Sequence, residues 1–374
     1  MPLKGAITTV VCDASKTGAG MASVALTVHK LLANRYDADI VVGIPPEGSV
    51  DHLHVAGLKG QGFKALPPDV MTGVVHVHGL WTPFEWRACR EARRRGARLV
   101  ISPHGSLEPW ALGHKRIKKL AAWTVYQKRI LQRADLLVAS SDLERDNFRK
   151  LGLTAPIAVI PVGVDTSDRP GDLPEPGASG REKVVLFLSR LSPKKGIPDL
   201  LQAWHGLADR RGHELHIHGY GPDAYRTLLE RQIAGLGIAA HVKLRGPLFG
   251  ADKWRKFQQS SIYVLPSYSE NFGITVAEAL LSGLPVITSD ATPWGELPSR
   301  GLGWIVGNDV AQLREALQLA LSQDIGGLES IRREAKDYAQ QNFLWPPIAD
   351  RYADTYAWLR TPGMDRPAWI TGAA

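Results

Sequence analysis

Short continuous apolar runs alternate along the chain with longer stretches in which apolar residues recur every three or four positions. In the first half the runs are ITTVVC, VVHVHGL, RLVIS, LLVAS and IAVIPVG, separated by GMASVALTVHKLLA, FEWRACREARRR, HKRIKKLAAWTVYQKRIL and DLERDNFRKLG. Runs rich in Val and Ile without polar alternation suit strands buried on both faces, and the amphipathic stretches suit crossover helices. The pattern therefore predicts a parallel sheet with helices packed on it. The rhythm breaks at Thr166–Glu182, TSDRPGDLPEPGASGRE, which is rich in Pro and Gly and has no periodicity; such a segment predicts an interdomain linker. Alternation then resumes with KVVLFLS, ELHIHG, HVKLRG, SSIYVLPS, LPVITS and LGWIVG around IPDLLQAWHGLA, DAYRTLLERQIAGLG and ITVAEALLSG. The expected fold class is α/β, with two Rossmann-like doubly wound domains over 1–168 and 183–342, a linker at 169–182, a C-terminal helix over 343–361 and a loose tail at 362–374. Two such domains facing each other leave a cleft lined by the loops at the carboxyl ends of both sheets.

Composition narrows the class. With 374 residues, 44% of them hydrophobic and 22% charged, the chain has the make-up of a soluble globular protein of two domains. No apolar run reaches the ~18 residues that a spanning helix needs, so no transmembrane segment is expected. The N-terminal MPLKGAITTVVCDASK has no small-residue cleavage pattern and reads as a first strand, which leads us to expect a cytosolic protein. Only two cysteines occur, Cys12 and Cys89, without metal-ligand spacing, as suits a reducing compartment. The formal charge is +8, and the whole excess lies in residues 1–170. An anionic partner is therefore expected to meet the first half.

Candidate chemistry falls where strands end. In SYSENFGITVAEALLSGLP a buried strand runs into a helix whose start is Asn271, Phe272, Gly273 and Ile274, flanked by Glu270 and Glu278. Free N–H groups and the positive end of the helix dipole suit a phosphate there. Two neighbouring acids would repel it unless they aim at sugar hydroxyls, and a carboxylate accepts well from a diol. A capping acid at Glu270 and a solvated one at Glu278 is the plainer alternative. In LFLSRLSPKKG, Arg190 and Lys195 also follow a strand and precede a helix, so both cations can reach toward a diphosphate. In LHIHGYGPD, Gly219 and Gly221 allow backbone to approach a ligand, a weak signal by itself. The corresponding first-half loops carry Gly18 and Gly20, then His76 and His78, then His104, Gly105 and Ser106. The His76/His78 alternation admits two metal ligands, but no third is evident, and core or cleft-lining histidines are the competing reading.

Together, SRLSPKKG, GYGP and SYSENFGITVAEALLSGLPVIT resemble the family 4 retaining glycosyltransferases of the GT-B fold, including bacterial enzymes of polysaccharide and lipopolysaccharide assembly. The match runs over nearly the whole chain. Its most specific part is the pair Glu270 and Glu278 with seven residues between them, followed by Phe272-Gly273 and EALLSGLPV; SPHGSLEPWAL is similar to a polysaccharide-assembly subgroup. The resemblance implies a first domain on the acceptor side and a second that binds a UDP- or GDP-sugar. Arg190 and Lys195 would hold the diphosphate, Glu278 the ribose, and Glu270 the transferred sugar, helped by the backbone of Asn271 to Ile274. His104 would stand near the anomeric centre and Gly18 to Gly20 near phosphate or acceptor, although Ala19 departs from the family's adjacent glycines. No cofactor and no metal are implied.

Beside this reading stand a non-catalytic nucleotide-sugar-binding scaffold and a nucleotide-sugar epimerase. For the basic half, helix 113–133 places Ile117, Leu120, Ala121, Thr124 and Leu131 near one face, a candidate core stripe. Lys115, Arg116, Lys118 and Lys119 cluster elsewhere on it, a solvated face or a patch for anionic lipid headgroups near a polyprenyl-diphosphate-linked acceptor. That would make the protein peripheral on the inner face of the membrane. Nucleic acid is not an expected partner, because no recognised nucleic-acid module accompanies the charge.

Overall fold

A computed structural model of the chain describes residues 7–15, 19–171, 182–323 and 325–372. It divides into two compact units, Met1–Gly163 with Trp345–Ala374, and Val164–Leu344. Most of the expected linker, residues 172–181, lies outside the described residues, as does Gly18.

The first unit is built on β1 (Ile7–Asp13), β2 (Ala38–Ile44), β3 (Leu53–Val55), β4 (Val74–His78), β5 (Arg98–Ser102), β6 (Leu136–Ala139) and β7 (Ile157–Val159). These strands are parallel in the order β3-β2-β1-β4-β5-β6-β7, and Ile370–Thr371 adds an antiparallel edge to β7. Its helices are α1 (Ala19–Ala33), α2 (Pro83–Arg94), α3 (Pro109–Gly113), α4 (Arg116–Ala122), α5 (Lys128–Gln132) and α6 (Asp142–Lys150). Both sheet faces are covered, which is why the strands read as unbroken apolar runs. One face packs Val75, Val77, Leu99 and Ile101 with Phe84 and Phe148. The other packs Val74, Val100, Leu136 and Val138 with Trp345, Ile348, Tyr352 and Tyr356. The last four lie on the C-terminal helix Trp345–Arg360, so a segment that no further sheet needs in sequence closes the first unit's core.

The second unit holds β8 (Val184–Leu188), β9 (Glu214–His218), β10 (Val242–Arg245), β11 (Ile262–Leu265), β12 (Val286–Ser289) and β13 (Gly303–Val306). All are parallel, in the order β10-β9-β8-β11-β12-β13. Helices α7 (Ile197–His205), α8 (Asp223–Gly235), α9 (Gly250–Gln259), α10 (Ile274–Leu281), α11 (Val310–Ser322) and α12 (Ile325–Phe343) accompany them. Each unit reverses its strand order once, between β1 and β4 and between β8 and β11, and the loops at such a reversal diverge to leave room for a ligand.

One expectation fails. The helix expected over 113–133 runs unbroken over 116–132, after the separate short α3, but a π turn at Trp123–Gln127 between α4 and α5 shifts its register. A π turn inserts an extra residue and rotates the faces on its two sides by about 100° relative to each other. Leu131 is buried, whereas Ile117 and Leu120 are 85% and 60% exposed and Ala121 and Thr124 are open as well. The expected core stripe is therefore a surface stripe.

Gly196, between the β8 loop and α7, sits at φ 66°, and a Cβ there would overlap the Pro266 carbonyl oxygen of the β11 loop. Backbone on both sides cannot give way cheaply. Gly196→Ala is expected to destabilise the second unit by about 2 kcal/mol or more, seen as a lower urea midpoint at unchanged slope.

Candidate functional site

In the second unit the loops after β8 and β11 are joined by a buried ion pair. Lys195 ends the short 3-10 turn Pro193–Lys195, and its ammonium pairs with the carboxylate of Glu270. Both side chains are buried. Ser267 Oγ donates to the same carboxylate at 2.9 Å, and the Tyr268 N–H donates to the Lys194 carbonyl at 2.8 Å. From Glu270 the chain turns through Asn271, Phe272 and Gly273, the last at φ 77°, into α10, which begins at Ile274. Trp294 fixes this turn: its indole N–H donates to the Phe272 carbonyl at 2.6 Å and its ring packs on Phe272 and Phe343. In the first turn of α10 the Val276 N–H donates to the Gly273 carbonyl at 2.8 Å, and the N–H groups of Ile274 and Thr275 before it are of the kind a helix start leaves without an intrahelical acceptor.

Glu278, buried on α10, accepts from Lys253 of α9 at 2.6 Å. Burial pushes its carboxyl above the usual range, and Lys253 pulls it partly back. The two expected acids are thus each matched by a lysine. Lys195 was legible in sequence. Lys253 was not, because α9 carries no motif and its neighbour Glu278 is remote in the chain. Trp294 was likewise missed; only a Trp-Gly step after a strand marks it.

Arg190 is exposed and makes no ion pair or side-chain hydrogen bond among the described residues. The glycines of the β9 loop pack against protein. A Cβ on Gly219 would overlap the Ser189 carbonyl oxygen, and one on Gly221 that of Leu191. They are required for backbone-to-backbone packing against the loop that carries Arg190, sealed by Leu191 N–H donating to the Tyr220 carbonyl at 2.7 Å. The close approach that the structure itself shows at these glycines is to protein backbone.

In the first unit His104 follows β5 at φ 50°, a left-handed position uncommon for a non-glycine residue. Two contacts hold it. Its Nε2 lies 2.8 Å from Nδ1 of His78, and the next N–H, that of Gly105, donates to the buried Glu144 carboxylate at 2.8 Å. Burial raises the Glu144 carboxyl. His76 has both ring nitrogens taken, by Tyr356 Oη at 2.6 Å and Ser102 Oγ at 2.7 Å. His76 and His78 thus serve as core histidines in two separate hydrogen-bonded sets, and among the described residues no group of three or more His, Cys, Asp or Glu could hold a metal ion. Ser106 is half-buried and its carbonyl accepts from the Trp81 indole at 3.4 Å, so its backbone is used in loop packing. Gly20 lies exposed in the first turn of α1 with open space around it.

The basic arm, α3 to α5, divides its cations. Lys115, Arg116 and Lys118 are exposed beside Ile117 and Leu120. Lys119 turns inward instead, donating to the Ala111 carbonyl at 2.5 Å with its ammonium 5.5 Å from the Trp81 ring centroid. It does not belong to the outward patch with which it was grouped.

Two parallel α/β units of one strand order define the GT-B class of fold. Solved structures agree: the Anabaena protein HepE in complex with UDP-glucose superposes with a TM-score of 0.72 at 20% identity, covering 94% of this chain and 99% of that one. Sucrose-phosphate synthase from Thermosynechococcus elongatus gives 0.72 at 19%, covering 95% and 99%. The family described as "Glycosyl transferases group 1" matches residues 168–342, and "Glycosyltransferase Family 4" matches residues 60–168. The GDP-mannose:cellobiosyl-diphosphopolyprenol alpha-mannosyltransferase of Xanthomonas campestris is 28% identical over 314 residues, 82% of this chain and 81% of that protein. The D-inositol 3-phosphate glycosyltransferase of Rhodococcus jostii is 30% identical over 284 residues, 70% of this chain and 62% of that protein. The chain belongs to the family 4 glycosyltransferases.

Removing one member of a buried pair strands the other charge. Lys195→Met is expected to cost about 3–5 kcal/mol in chemical denaturation. Lys195→Met combined with Glu270→Gln should recover a large part of that loss, because no bare charge then remains in the site.

Proposed function

We propose that the protein moves a hexosyl group from a UDP- or GDP-sugar to a glycan or polyprenyl-diphosphate-linked acceptor in cell-surface polysaccharide synthesis, with retention at the anomeric carbon and without a metal ion. The observation that carries this reading is the pair of lysine–glutamate contacts at the β8/β11 reversal. Each lysine cancels the field that its acid would impose on a nearby diphosphate, and each keeps further donor capacity, since an ammonium has three N–H groups. The open Arg190 adds a forked cation to the leaving group. Glu270 then accepts from hydroxyls of the transferred sugar and Glu278 from the ribose, as the family resemblance implies, with His104 as a further contact to the sugar. The Xanthomonas relative, named for a GDP-mannose donor and a diphosphopolyprenol acceptor, favours this substrate class.

In the reaction so read, the bond from the anomeric carbon to the phosphate oxygen breaks as the acceptor oxygen bonds to the same face. The acceptor's proton passes to the departing phosphate oxygen. Arg190, Lys195 and the N–H groups of Ile274 and Thr275 at the start of α10 stabilise the charge that grows there, each worth about 3 kcal/mol if placed as oxyanion donors are. No protein nucleophile is required.

Release of nucleoside diphosphate from a UDP- or GDP-sugar is the direct assay. Glu270→Ala and Arg190→Ala are each expected to lower it on the order of a hundredfold, and EDTA to leave it unchanged. A sugar nucleotide that raises the melting temperature yet is never turned over with any acceptor would instead make the protein a scaffold.

The arm supports a peripheral membrane contact within the same proposal. Lys115, Arg116 and Lys118 flank the exposed Ile117 and Leu120, with Val125 76% exposed beyond them, the mixture of cations and apolar groups that lies well in a headgroup layer. Co-sedimentation with anionic vesicles should weaken with salt, and charge reversal at Lys115 and Lys118 should abolish most of it; binding unchanged by that reversal would rule the contact out.

A further inference from the structure

His78 is the last residue of β4, fully buried, and its only ring hydrogen bond among the described residues is to His104. The two rings are nearly parallel, 15° apart, with centroids 5.1 Å apart and the facing nitrogens at 2.8 Å. A centroid distance that exceeds the N···N distance by about two ring radii describes imidazoles joined edge to edge in one plane, so the contact is an N–H···N bond, not a face-to-face stack. Both rings are neutral: burial holds His104 down to about 4 and His78 well below the ordinary histidine value. A neutral imidazole has one N–H, so a single proton between the rings fixes where the other two nitrogens stand.

Two arrangements are possible. If His104 donates from Nε2, His78 must carry its own proton on its Nε2. That atom is inaccessible to solvent and has no hydrogen-bond partner among the described residues, and a buried donor without an acceptor is among the rarest states in folded proteins. If His78 donates from Nδ1, its Nε2 is a bare lone pair, an acceptor left unfilled, which structures tolerate more readily. His104 then carries its proton on Nδ1, the ring nitrogen turned away from His78 and without a partner among the described residues.

We infer that His78 is a positioning residue that locks His104 in the Nδ1–H tautomer, so that His104 meets its substrate as a hydrogen-bond donor to a hydroxyl or phosphate oxygen and not as a base. This deepens the proposed function and rests on its reading of His104 as a substrate contact. His76 supports the arrangement from behind. Its ring lies 4.0 Å from that of His78, and with both its nitrogens held by hydroxyls it cannot offer His78 a proton. Glu144 holds the adjoining Gly105 N–H, so the backbone cannot swing His104 away.

The tautomer is directly observable in the full chain. With side-chain 15N-labelled histidine, two-bond 1H–15N spectra are expected to show His104, assigned by its loss in His104→Gln, protonated at Nδ1 and bare at Nε2. A proton on Nε2 overturns the inference, whatever the activity. His78→Asn places an amide N–H where Nδ1–H was, and should keep the tautomer and most of the donor hydrolysis. His78→Leu should mix the tautomers and lower kcat on the order of tenfold to a hundredfold with KM little changed. A soluble His78→Leu variant with the tautomer and rate of the parent also overturns it. Should that variant fail to fold, the parent spectrum alone decides. Full activity in His104→Ala would remove His104 from the reaction while leaving the tautomer assignment standing.

Discussion

The buried pair of Lys195 and Glu270 is the contact on which the second unit's site depends. Neither charge has enough water to solvate it, so each serves as the other's solvation, and the pair persists only while both loops hold their places. That requirement runs outward. The 3-10 turn must end at Gly196 in the left-handed region, because any Cβ there would strike the Pro266 carbonyl. The Tyr268 N–H must meet the Lys194 carbonyl, and Trp294 must hold the Phe272 carbonyl so that the turn into α10 starts where it does. The ion pair thus acts less as a source of stability than as a specification of geometry at the reversal point of the sheet.

The two units solve the same topological problem with different chemistry. Both present loops where strand order reverses, yet the second fills its reversal with lysine–glutamate pairs and the first surrounds β4 with hydrogen-bonded histidines, hydroxyls and buried carboxyls. His76 and His78 are buried and uncharged, and Glu85 and Glu144 have carboxyls raised by burial and used as acceptors for N–H and O–H groups. Uncharged histidines held by hydroxyls and by one another orient a ring without a counter-ion paired to it. A site of paired charges and a site of hydrogen-bonded histidines make different demands on dielectric, and folding them on separate sheets lets each keep its own.

Much of this was legible in sequence where a local pattern fixes the outcome. Strands buried on both faces gave unbroken Val and Ile runs, and the spacing of Glu270, Gly273 and Glu278 reports a loop-to-helix start because all three lie within one short segment. What depends on partners remote in the chain was not legible. Lys253 meets Glu278 only because α9 and α10 pack, and Trp294 reaches Phe272 from beyond β12. Gly219 and Gly221 were recognised as close approaches, but a glycine does not say what approaches it; here the backbone of Ser189 and Leu191 does. The C-terminal helix was visible as a periodic segment, whereas its burial against β4 and β6 follows from the three-dimensional fold alone.

The arm shows how a sequence total can mislead and a contact can correct it. Residues 1–170 hold the chain's whole basic excess, yet Arg94 and Arg95 are spent on Glu91, and Lys119 on Ala111 and the Trp81 ring. What remains outward at α4 is Lys115, Arg116 and Lys118, next to an apolar stripe that a helix would ordinarily turn inward. It cannot turn. The π turn grips Trp81 at both backbone groups: Tyr126 Oη donates to its carbonyl at 3.0 Å, and Gln127 Oε1 accepts from its N–H at 3.3 Å. Trp81 itself is held at φ 79°. Rotating α4 to hide Ile117 would require breaking both bonds or unwinding the extra residue, so the exposure of the stripe is enforced by the same turn that destroys its expected register.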